Sequence, residues 1–230
     1  MKYGKIVKGK FISRQNRFVA TVNIEGTPHT VHVKNTGRCK ELLLPDATVY
    51  LEAADNPARR TAYDLVGVEK AVGGKTLMIN MDSQAPNKIA EEWLPKSQLF
   101  SANAVYRREY TYGKSRFDFF ITDGERKAFL EVKGVTLEKN GVAYFPDAPT
   151  ERGVKHLKEL TAAISEGYEA YVLFVIQMKG VSLFKPNDEM HKEFGDALRA
   201  AAKSGVKVLA VDCRVDHPFV EAENLVKTQL

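Results

Sequence analysis

The stretch that decides the fold of this chain is Arg116-Phe117-Asp118-Phe119-Phe120-Ile121-Thr122-Asp123-Gly124-Glu125-Arg126-Lys127-Ala128-Phe129-Leu130-Glu131-Val132-Lys133. Aromatic and β-branched residues stand on both sides of a charged segment that contains Asp123-Gly124. This pattern is typical of two antiparallel strands joined by a tight turn. The sequence therefore predicts a β-hairpin here.

The side chains of the first strand are expected to alternate between the two faces of the sheet. Phe117, Phe119 and Ile121 then share one face, and Asp118 and Phe120 share the other. The carboxylate of Asp118 is thus predicted to lie beside an aromatic ring.

The second strand is expected to carry Phe129, Glu131 and Lys133 on one face. A turn that spans residues 123–126 would place Asp118 directly opposite Glu131. A two-residue turn would shift the pair by one diagonal position but keep both carboxylates on one face, whereas an odd-length turn would separate them. In the first two cases, two carboxylates and a lysine converge.

Such a constellation can bind a divalent metal. Carboxylate oxygens are hard ligands that suit Mg²⁺ or Mn²⁺ and leave part of the coordination shell for water and a substrate phosphate. The bound metal lowers the pKa of a water ligand and screens charge that develops on phosphorus. Lys133 could orient that water. The alternative is a surface hairpin with a Glu–Lys pair, which contributes little to stability.

Length and composition are those of a globular protein. The chain has 230 residues, of which 44% are hydrophobic, enough for one large or two small domains. We find no signal-peptide pattern and no apolar run long enough to span a bilayer. Cys39 and Cys213 show neither metal-ligand spacing nor a disulfide framework. A cytoplasmic protein that does not associate with membranes is expected.

The positive charge is concentrated at one end. The net charge is +5, and residues 1–40 contain nine Lys or Arg against one acid, Glu25. From residue 87 onward the two signs balance at 21 each. An excess of this kind indicates a phosphate-binding surface. The alternative is a charge that only keeps a small β-domain in solution.

The first 83 residues are interpreted as an OB-like β-barrel that binds nucleic acid. Short strands are predicted at residues 5–12, 18–24, 30–33, 48–53, 63–68 and 75–80, a spacing typical of a small barrel. Barrels of this type bind nucleic acid through a basic groove with aromatic side chains. The residues predicted to contact DNA are Arg14, Arg17, Lys34, Asn35, Arg38 and Lys40.

Residues 84–230 are predicted to form an α/β sandwich with a mixed sheet. A helix is expected near Pro86, another from Glu151 with Thr150 as its N-cap, and a third from Asp188. The continuous apolar run at residues 170–176 predicts a buried central strand, and residues 206–211 are predicted to form a further buried strand. Hairpin, helix, strand, helix and strand in this order favour an α/β domain.

At this point the chain resembles known families. Asp118, Glu131-Val132-Lys133 and a following helix are similar to the PD-(D/E)xK nuclease superfamily, which includes many restriction endonucleases. More closely, the chain resembles the sugar fermentation stimulation protein A (SfsA) family of prokaryotes. The stretches that carry this resemblance are residues 17–20, 35–37, 115–119, 131–137 and, longest, 145–157, FPDAPTERGVKHL.

The resemblance implies an N-terminal OB-like domain, a C-terminal restriction-endonuclease-like domain and DNA as the partner. Asp118 and Glu131 match the metal-binding carboxylates and Lys133 the motif lysine, while Phe117 replaces the proline of the superfamily motif. Glu109 would correspond to an additional catalytic acid, or else is a surface charge. The resemblance also places Arg152 and Lys155 near the substrate phosphate, with Mg²⁺ or Mn²⁺ as cofactor, and a homodimer would be typical of related nucleases.

Two functions follow from these observations. The first is a metal-dependent DNA nuclease that uses Asp118, Glu131 and Lys133. The second is a non-catalytic DNA-binding regulator of sugar-utilisation genes, largely independent of DNA sequence. A metabolic enzyme is disfavoured, because the sequence has no glycine-rich phosphate loop, catalytic dyad or cofactor fingerprint.

Overall fold

The N-terminal strands close into a barrel. The computed structural model describes residues 1–35, 37, 39–56, 58–113 and 115–230. The strands of the barrel are β1 (Ile6–Arg14), β2 (Val19–Ile24), β3 (Thr27–Val33), β4 (Thr48–Ala53), β5 (Tyr63–Val72) and β6 (Lys75–Asn80). The strand order is β3-β2-β1-β4-β5, and a parallel pairing of β3 with β5 at His32–Asp64 and Val33–Leu65 closes the ring, with β6 added to β5 as a hairpin. The predicted OB-like barrel is thereby confirmed.

Strand β3 begins earlier than the sequence predicts, and it includes Pro28. The turn before it consists of Glu25 and Gly26, both with positive φ, which suits a two-residue hairpin. Pro28 pairs with Asn23 on β2, and β3 meets β5 only at the far end of the strand. No second strand therefore needs the N–H group that proline lacks.

The rest of the chain forms the predicted α/β sandwich with a mixed sheet. The elements are α1 (Ala85–Trp93), β7 (Val105–Tyr112), β8 (Ser115–Asp123), β9 (Arg126–Val135), β10 (Leu137–Lys139), β11 (Val142–Phe145), α2 (Glu151–Ser165), β12 (Glu169–Ile176), β13 (Leu183–Pro186), α3 (Asp188–Lys203), β14 (Lys207–Asp216), β15 (Phe219–Leu225) and β16 (Lys227–Thr228). A six-stranded sheet has the order β15-β14-β12-β9-β8-β7, in which β12 runs parallel to β9 and β14 while the other pairs are antiparallel. A smaller sheet, β10-β11-β13-β16, was not predicted.

Helices cover both faces of the larger sheet. On one face, Ile89 and Ala90 of α1 pack in a cluster with Leu130. On the other face, α2 buries Leu157 and Leu160 in the main core. The spacing of three to four residues between apolar positions puts them on one side of the helix, as the sequence predicts. No helix in the described ranges is long and apolar enough to cross a membrane.

The barrel and the sandwich are joined through buried polar contacts. Gln177, which follows β12, donates to the Asn80 side chain at 2.8 Å and to the Asp82 carbonyl at 3.0 Å. Met81 and Asp82 are almost fully buried. The chain thus passes between the two parts without an exposed linker, and the boundary after residue 83 stays a prediction.

Candidate metal centre

The hairpin that holds the candidate centre has the four-residue turn considered above. Asp123 pairs with Arg126, and the ladder continues to Phe119 opposite Leu130. Gly124 has a φ of 62°, which glycine adopts without strain. One step further along this register would bring Asp118 opposite Glu131, but the ladder stops at Phe119.

The predicted alternation of side chains is wrong at Phe117. Its ring lies 5.1 Å from that of Phe129 and 6.1 Å from the His156 ring, so it packs on the α2 side of the sheet. Phe119 belongs to the core on the α1 side. The ladder between β8 and β9 ends at Phe119, and Asp118 bonds to β9 through its side chain instead. The strands therefore part where the carboxylates meet.

Asp118 is held by two donors. Its Oδ2 accepts from the backbone N–H of Val132 at 2.7 Å, and its Oδ1 accepts from Asn87 Nδ2 on α1 at 2.8 Å. Burial and then the charge of Glu131 raise the pKa of Asp118, and both effects outweigh the two hydrogen bonds and the charge of Lys133. Burial is thus the larger cause of the shift, and the charge of Glu131 adds to it.

Glu131 is buried and has its two oxygens in different surroundings. Oε1 accepts from Lys133 Nζ at 2.6 Å and bonds to His156 Nδ1 on α2. Burial alone would raise the pKa of Glu131, but His156 and the charge of Lys133 lower it. Oε2 is buried and has no hydrogen-bond partner among the described residues. Buried carboxylate oxygens are normally satisfied, so this atom needs an explanation.

The hydrogen bonds around His156 define its tautomer. Arg152 Nε–H points at His156 Nε2 across 3.4 Å, so Nε2 acts as the acceptor. Nδ1 then carries the proton and donates it to Glu131 Oε1. His156 is 4% exposed, and its ring is fixed by Arg152 on one side and Glu131 on the other. The imidazole thus orients the carboxylate as a neutral donor.

These residues fit a divalent cation. Asp118 is half-buried and Glu131 is buried, and Lys133 supplies a positive charge beside them. A bound cation would offset the negative charge of Glu131, which is one of the causes that raise the pKa of Asp118. Glu131 Oε2 could then act as a ligand of that cation. Carboxylate oxygens are the ligand type that Mg²⁺, Mn²⁺ and Ca²⁺ share.

A second group could hold a metal at the surface. The ligand atoms of Glu151, His191 and Glu193 lie within 4.8 Å of one another. His191 Nδ1, however, accepts from the backbone N–H of Thr150 at 3.3 Å. A neutral imidazole then carries its proton on Nε2, the atom that faces the two carboxylates. Nε2 is thereby a donor to carboxylates and not a metal ligand.

An open groove lies beside the carboxylate pair. This helix groove, with a volume of about 460 Å³, is lined by Ser115, Arg116, Glu151, Arg152, Lys155 and His156. Arg152 and Lys155 are exposed on the first two turns of α2, as expected for phosphate contacts. Glu109 bonds to Arg116 Nε at 2.8 Å and is nearly half exposed. Its carboxylate thus pairs with Arg116, one of the residues that line the helix groove.

Three residues predicted to contact DNA make bonds within the barrel instead. The Arg14 guanidinium donates to the carbonyls of Asn35 and Gly37, both at 2.8 Å. The Asn35 side chain donates to the carbonyl of Met81 at 2.8 Å. Lys34 lies 2.8 Å from the buried Asp82 carboxylate. These side chains fix the loop between β3 and β4 in place.

Arg17 and Lys40 are the predicted DNA contacts that the structure leaves exposed on the barrel. They line a barrel groove of about 420 Å³ together with Arg14, Asn16, Gly37 and Leu43. Phe18 next to Arg17 is 52% exposed, although an aromatic ring is usually buried. Arg38 lies outside the described residues.

No sequence pattern identifies Asn87 as the partner of Asp118. Asn87 lies on α1, 31 residues before Asp118, and reaches it only because α1 packs across the sheet. The pairing of His156 with Glu131 also depends on packing, here of α2 on β9. The motif spacing identifies the carboxylates and the lysine but not the residues that orient them.

An OB barrel joined to a restriction-endonuclease-like domain is the class of protein that this fold defines. Two family models match, the SfsA N-terminal OB domain over residues 12–79 and the Sugar fermentation stimulation protein RE domain over residues 84–218. The chain belongs to the sugar fermentation stimulation protein family, as the sequence motifs predict.

Full-length relatives agree with this assignment. A sugar fermentation stimulation protein homolog of Ruminiclostridium cellulolyticum is 53% identical over 230 residues and covers 100% of both chains. One of Clostridium beijerinckii is 55% identical over 226 residues and covers 98% of each. The solved structure of Pyrococcus furiosus SfsA in complex with Ca²⁺ has a TM-score of 0.86 at 26% identity, covering 100% of this chain and 98% of that one.

Proposed function

We propose that this protein is a divalent-metal-dependent nuclease that hydrolyses phosphodiester bonds of DNA. The observation that carries the proposal is the pair of half-buried Asp118 and buried Glu131 beside Lys133, in which Glu131 Oε2 has no partner within the described part of the chain. The Pyrococcus furiosus relative was solved in complex with Ca²⁺, which supports a divalent cation as a ligand of this chain too.

Asp118 and Glu131 would hold the metal, with Mg²⁺ or Mn²⁺ as the catalytic ion. When bound, such an ion activates a water molecule and screens the charge of the phosphate. Asn87 and the Val132 N–H orient Asp118, and His156 orients Glu131 so that Oε2 stays available. These partners keep the carboxylates in one geometry in advance.

Lys133 and the start of α2 would act on the substrate. The Lys133 ammonium, 2.6 Å from Glu131 Oε1, is close enough to orient a water molecule or to neutralise a phosphate oxygen. Arg152 and Lys155 in the helix groove provide charge-assisted contacts to the phosphate backbone. The N-terminal end of α2 adds the partial positive charge of a helix terminus.

A cleavage assay tests this proposal. Labelled single-stranded, duplex and branched DNA would be incubated with Mg²⁺, Mn²⁺ or chelator. We expect metal-dependent products from the wild-type protein, and loss of activity to background when Asp118→Ala and Glu131→Ala are combined. Glu109→Ala is the matched control, because it removes a carboxylate that pairs with Arg116 of the helix groove. Equal cleavage by the wild-type and double-variant proteins would refute the proposal.

The second candidate is a regulator that binds DNA without cutting it. Its support is the exposed pair Arg17 and Lys40 in the barrel groove. DNA binding by these two residues would not require the carboxylates of Asp118 and Glu131. This function predicts binding that persists in chelator and falls steeply with salt. Retention of DNA without cleavage under any metal would favour it.

A further inference from the structure

Three grooves follow one another from the barrel to the carboxylate pair. An interdomain cleft of about 370 Å³ shares Arg17 and Gly37 with the barrel groove. Its lining also includes Pro149 and Thr150, and Thr150 directly precedes Glu151 of the helix groove. Basic side chains line the barrel groove and the helix groove, which lie on either side of the interdomain cleft. The path is therefore basic on both sides of the cleft.

We propose that a single strand of nucleic acid follows this path, with one unpaired nucleotide held in the interdomain cleft. The proposal rests on the proposed function, because the path ends at the carboxylates that would cut the strand. It specifies the substrate as unpaired nucleic acid and predicts that duplex is bound less well.

The first argument is the exposed ring of Phe18 beside the barrel groove. The Asn16 side chain accepts from the Phe18 N–H at 2.9 Å and fixes this turn, while the ring remains 52% exposed. An aromatic ring next to Arg17 and Lys40 can stack on a base whose phosphate contacts those cations. Only an unpaired base offers a free face for such stacking.

The second argument is the size of the cleft and the close packing at two of its glycines. Its volume lies at the lower end of small-ligand pockets, which measure about 300–1,000 Å³, and suits one nucleotide better than a base pair. A Cβ on Gly37 would lie 2.6 Å from Asp147 Oδ2, and a Cβ on Gly134 would lie 2.6 Å from Pro86 Cγ. Larger side chains at these two positions would therefore clash with their neighbours.

The third argument is the chemistry of Asp147. A carboxylate repels phosphate, so the backbone of a bound strand must stay at the mouth of the cleft and turn its base inward. Asp147 is partly buried, and this burial raises the pKa of its carboxyl group. Its oxygens can accept from the amino groups of adenine, cytosine or guanine, whereas the one ring N–H donor of thymine lies between two carbonyl oxygens that repel a carboxylate. Asp147 is therefore expected to disfavour thymine.

The experiment measures binding by fluorescence anisotropy in chelator, where no metal-dependent cleavage occurs. The probes are one labelled 15-nucleotide DNA, the same sequence as RNA, and the corresponding duplex. We expect either single strand to bind at least about 10-fold more tightly than duplex, and Phe18→Ala to weaken single-strand binding by about 10-fold or more. Ile12→Ala removes another exposed apolar side chain of the barrel and serves as the control. Equal affinity for single strand and duplex would overturn the proposal.

The cleft itself is tested with two variants. Asp147→Asn keeps the shape of the side chain and is expected to reduce the preference for dA15 over dT15. Ala148→Trp fills the cleft and is expected to weaken single-strand binding by about 10-fold, while Ala162→Trp on the exposed side of α2 should leave it unchanged. Thermal melts confirm that each variant is folded. An unchanged base preference together with unchanged affinity in the filled cleft would place the strand elsewhere.

The two proposals fail separately. If Asp118→Ala and the wild-type protein are equally inactive on every DNA, the nuclease is refuted while the single-strand preference can still be measured. If duplex binds as well as single strand but is cleaved with Mg²⁺, the path through the cleft is refuted and the nuclease stands.

Discussion

At the residue scale, the centre is defined by how Glu131 is oriented. His156 and Lys133 occupy Oε1, which leaves Oε2 buried and without a partner among the described residues. Glu131 and Lys133 were predicted from their place on the strand after Asp118 and from the resemblance to the nuclease motif. His156 could not be assigned to this carboxylate from the sequence, because its place 25 residues later becomes meaningful only once α2 packs on β9.

His156→Gln tests the orienting role. We expect Mn²⁺ affinity, measured by calorimetry, to fall by about 10- to 100-fold, since residues that orient metal ligands typically contribute this much. His29→Gln on the barrel strand β3 is the matched control, because it changes a histidine far from the carboxylates in the fold. Unchanged Mn²⁺ affinity in His156→Gln would contradict the role assigned to this residue.

At the element scale, α2 connects the fold to the site. The sequence predicted its start, because Thr150 precedes Glu151 and apolar residues recur at helical spacing. It did not predict the smaller sheet, whose strands contain two to four residues each and carry no clear alternation. The sequence pattern also could not predict that side chains stop alternating between the two faces of the sheet at Phe117. This break depends on where the pairing of β8 with β9 ends.

Thr150→Ala tests the start of α2. The Thr150 hydroxyl accepts from the Gly153 N–H at 3.1 Å, and loss of such a cap costs about 1 kcal/mol. We expect the melting temperature to fall by about 2–4 °C. Thr150→Ser retains the hydroxyl and should melt close to the wild-type protein. A Thr150→Ala variant as stable as the wild-type protein would show that this cap does not stabilise the helix.

At the scale of the whole molecule, buried polar contacts hold the barrel against the sandwich. Lys70 on β5 donates to Glu138 Oε2 at 2.7 Å and to the Glu138 carbonyl at 2.8 Å. The β14–β15 turn places His217 against the barrel, with its ring 4.9 Å from that of Tyr50. Because these contacts join residues far apart in sequence, the domain order could be predicted but the interface and its cleft could not.

Lys70→Met is expected to destabilise the protein by about 3–5 kcal/mol, because Glu138 is 3% exposed and would lose its cation. Burial alone would raise the pKa of Glu138, but the bonds from Lys70 and the Gly141 N–H lower it. The pair therefore stabilises the fold at neutral pH, and this stabilisation is lost as the pH falls below the ordinary glutamate range. Denaturant unfolding measures the change. Lys75→Met removes an exposed lysine of β6 and should change the free energy of unfolding little. An equal loss of unfolding free energy in both variants would contradict the stabilising role assigned to the Lys70–Glu138 pair.

His217 predicts a pH dependence of stability. Both ring nitrogens are buried without partners among the described residues, and burial lowers the pKa of His217 to about 4 although the nearby Asp216 carboxylate opposes the shift. The unfolded chain then binds this proton between pH 6.5 and about 4 while the folded protein does not, so stability falls as the pH falls through that window. We expect the melting temperature of His217→Leu to fall less than that of the wild-type protein over this range. Parallel curves for the two proteins would contradict the prediction.

The most direct test of the central claim is a calorimetric titration with Mn²⁺ of the wild-type protein, Glu131→Gln and Glu151→Gln. We predict that Glu131→Gln abolishes the binding isotherm, because it removes a ligand of the carboxylate pair. Glu151→Gln alters the surface group at α2 and α3 and should bind as the wild-type protein does. Binding that survives Glu131→Gln but is lost in Glu151→Gln would contradict the account, since the metal would then lie at the surface group and not between Asp118 and Glu131.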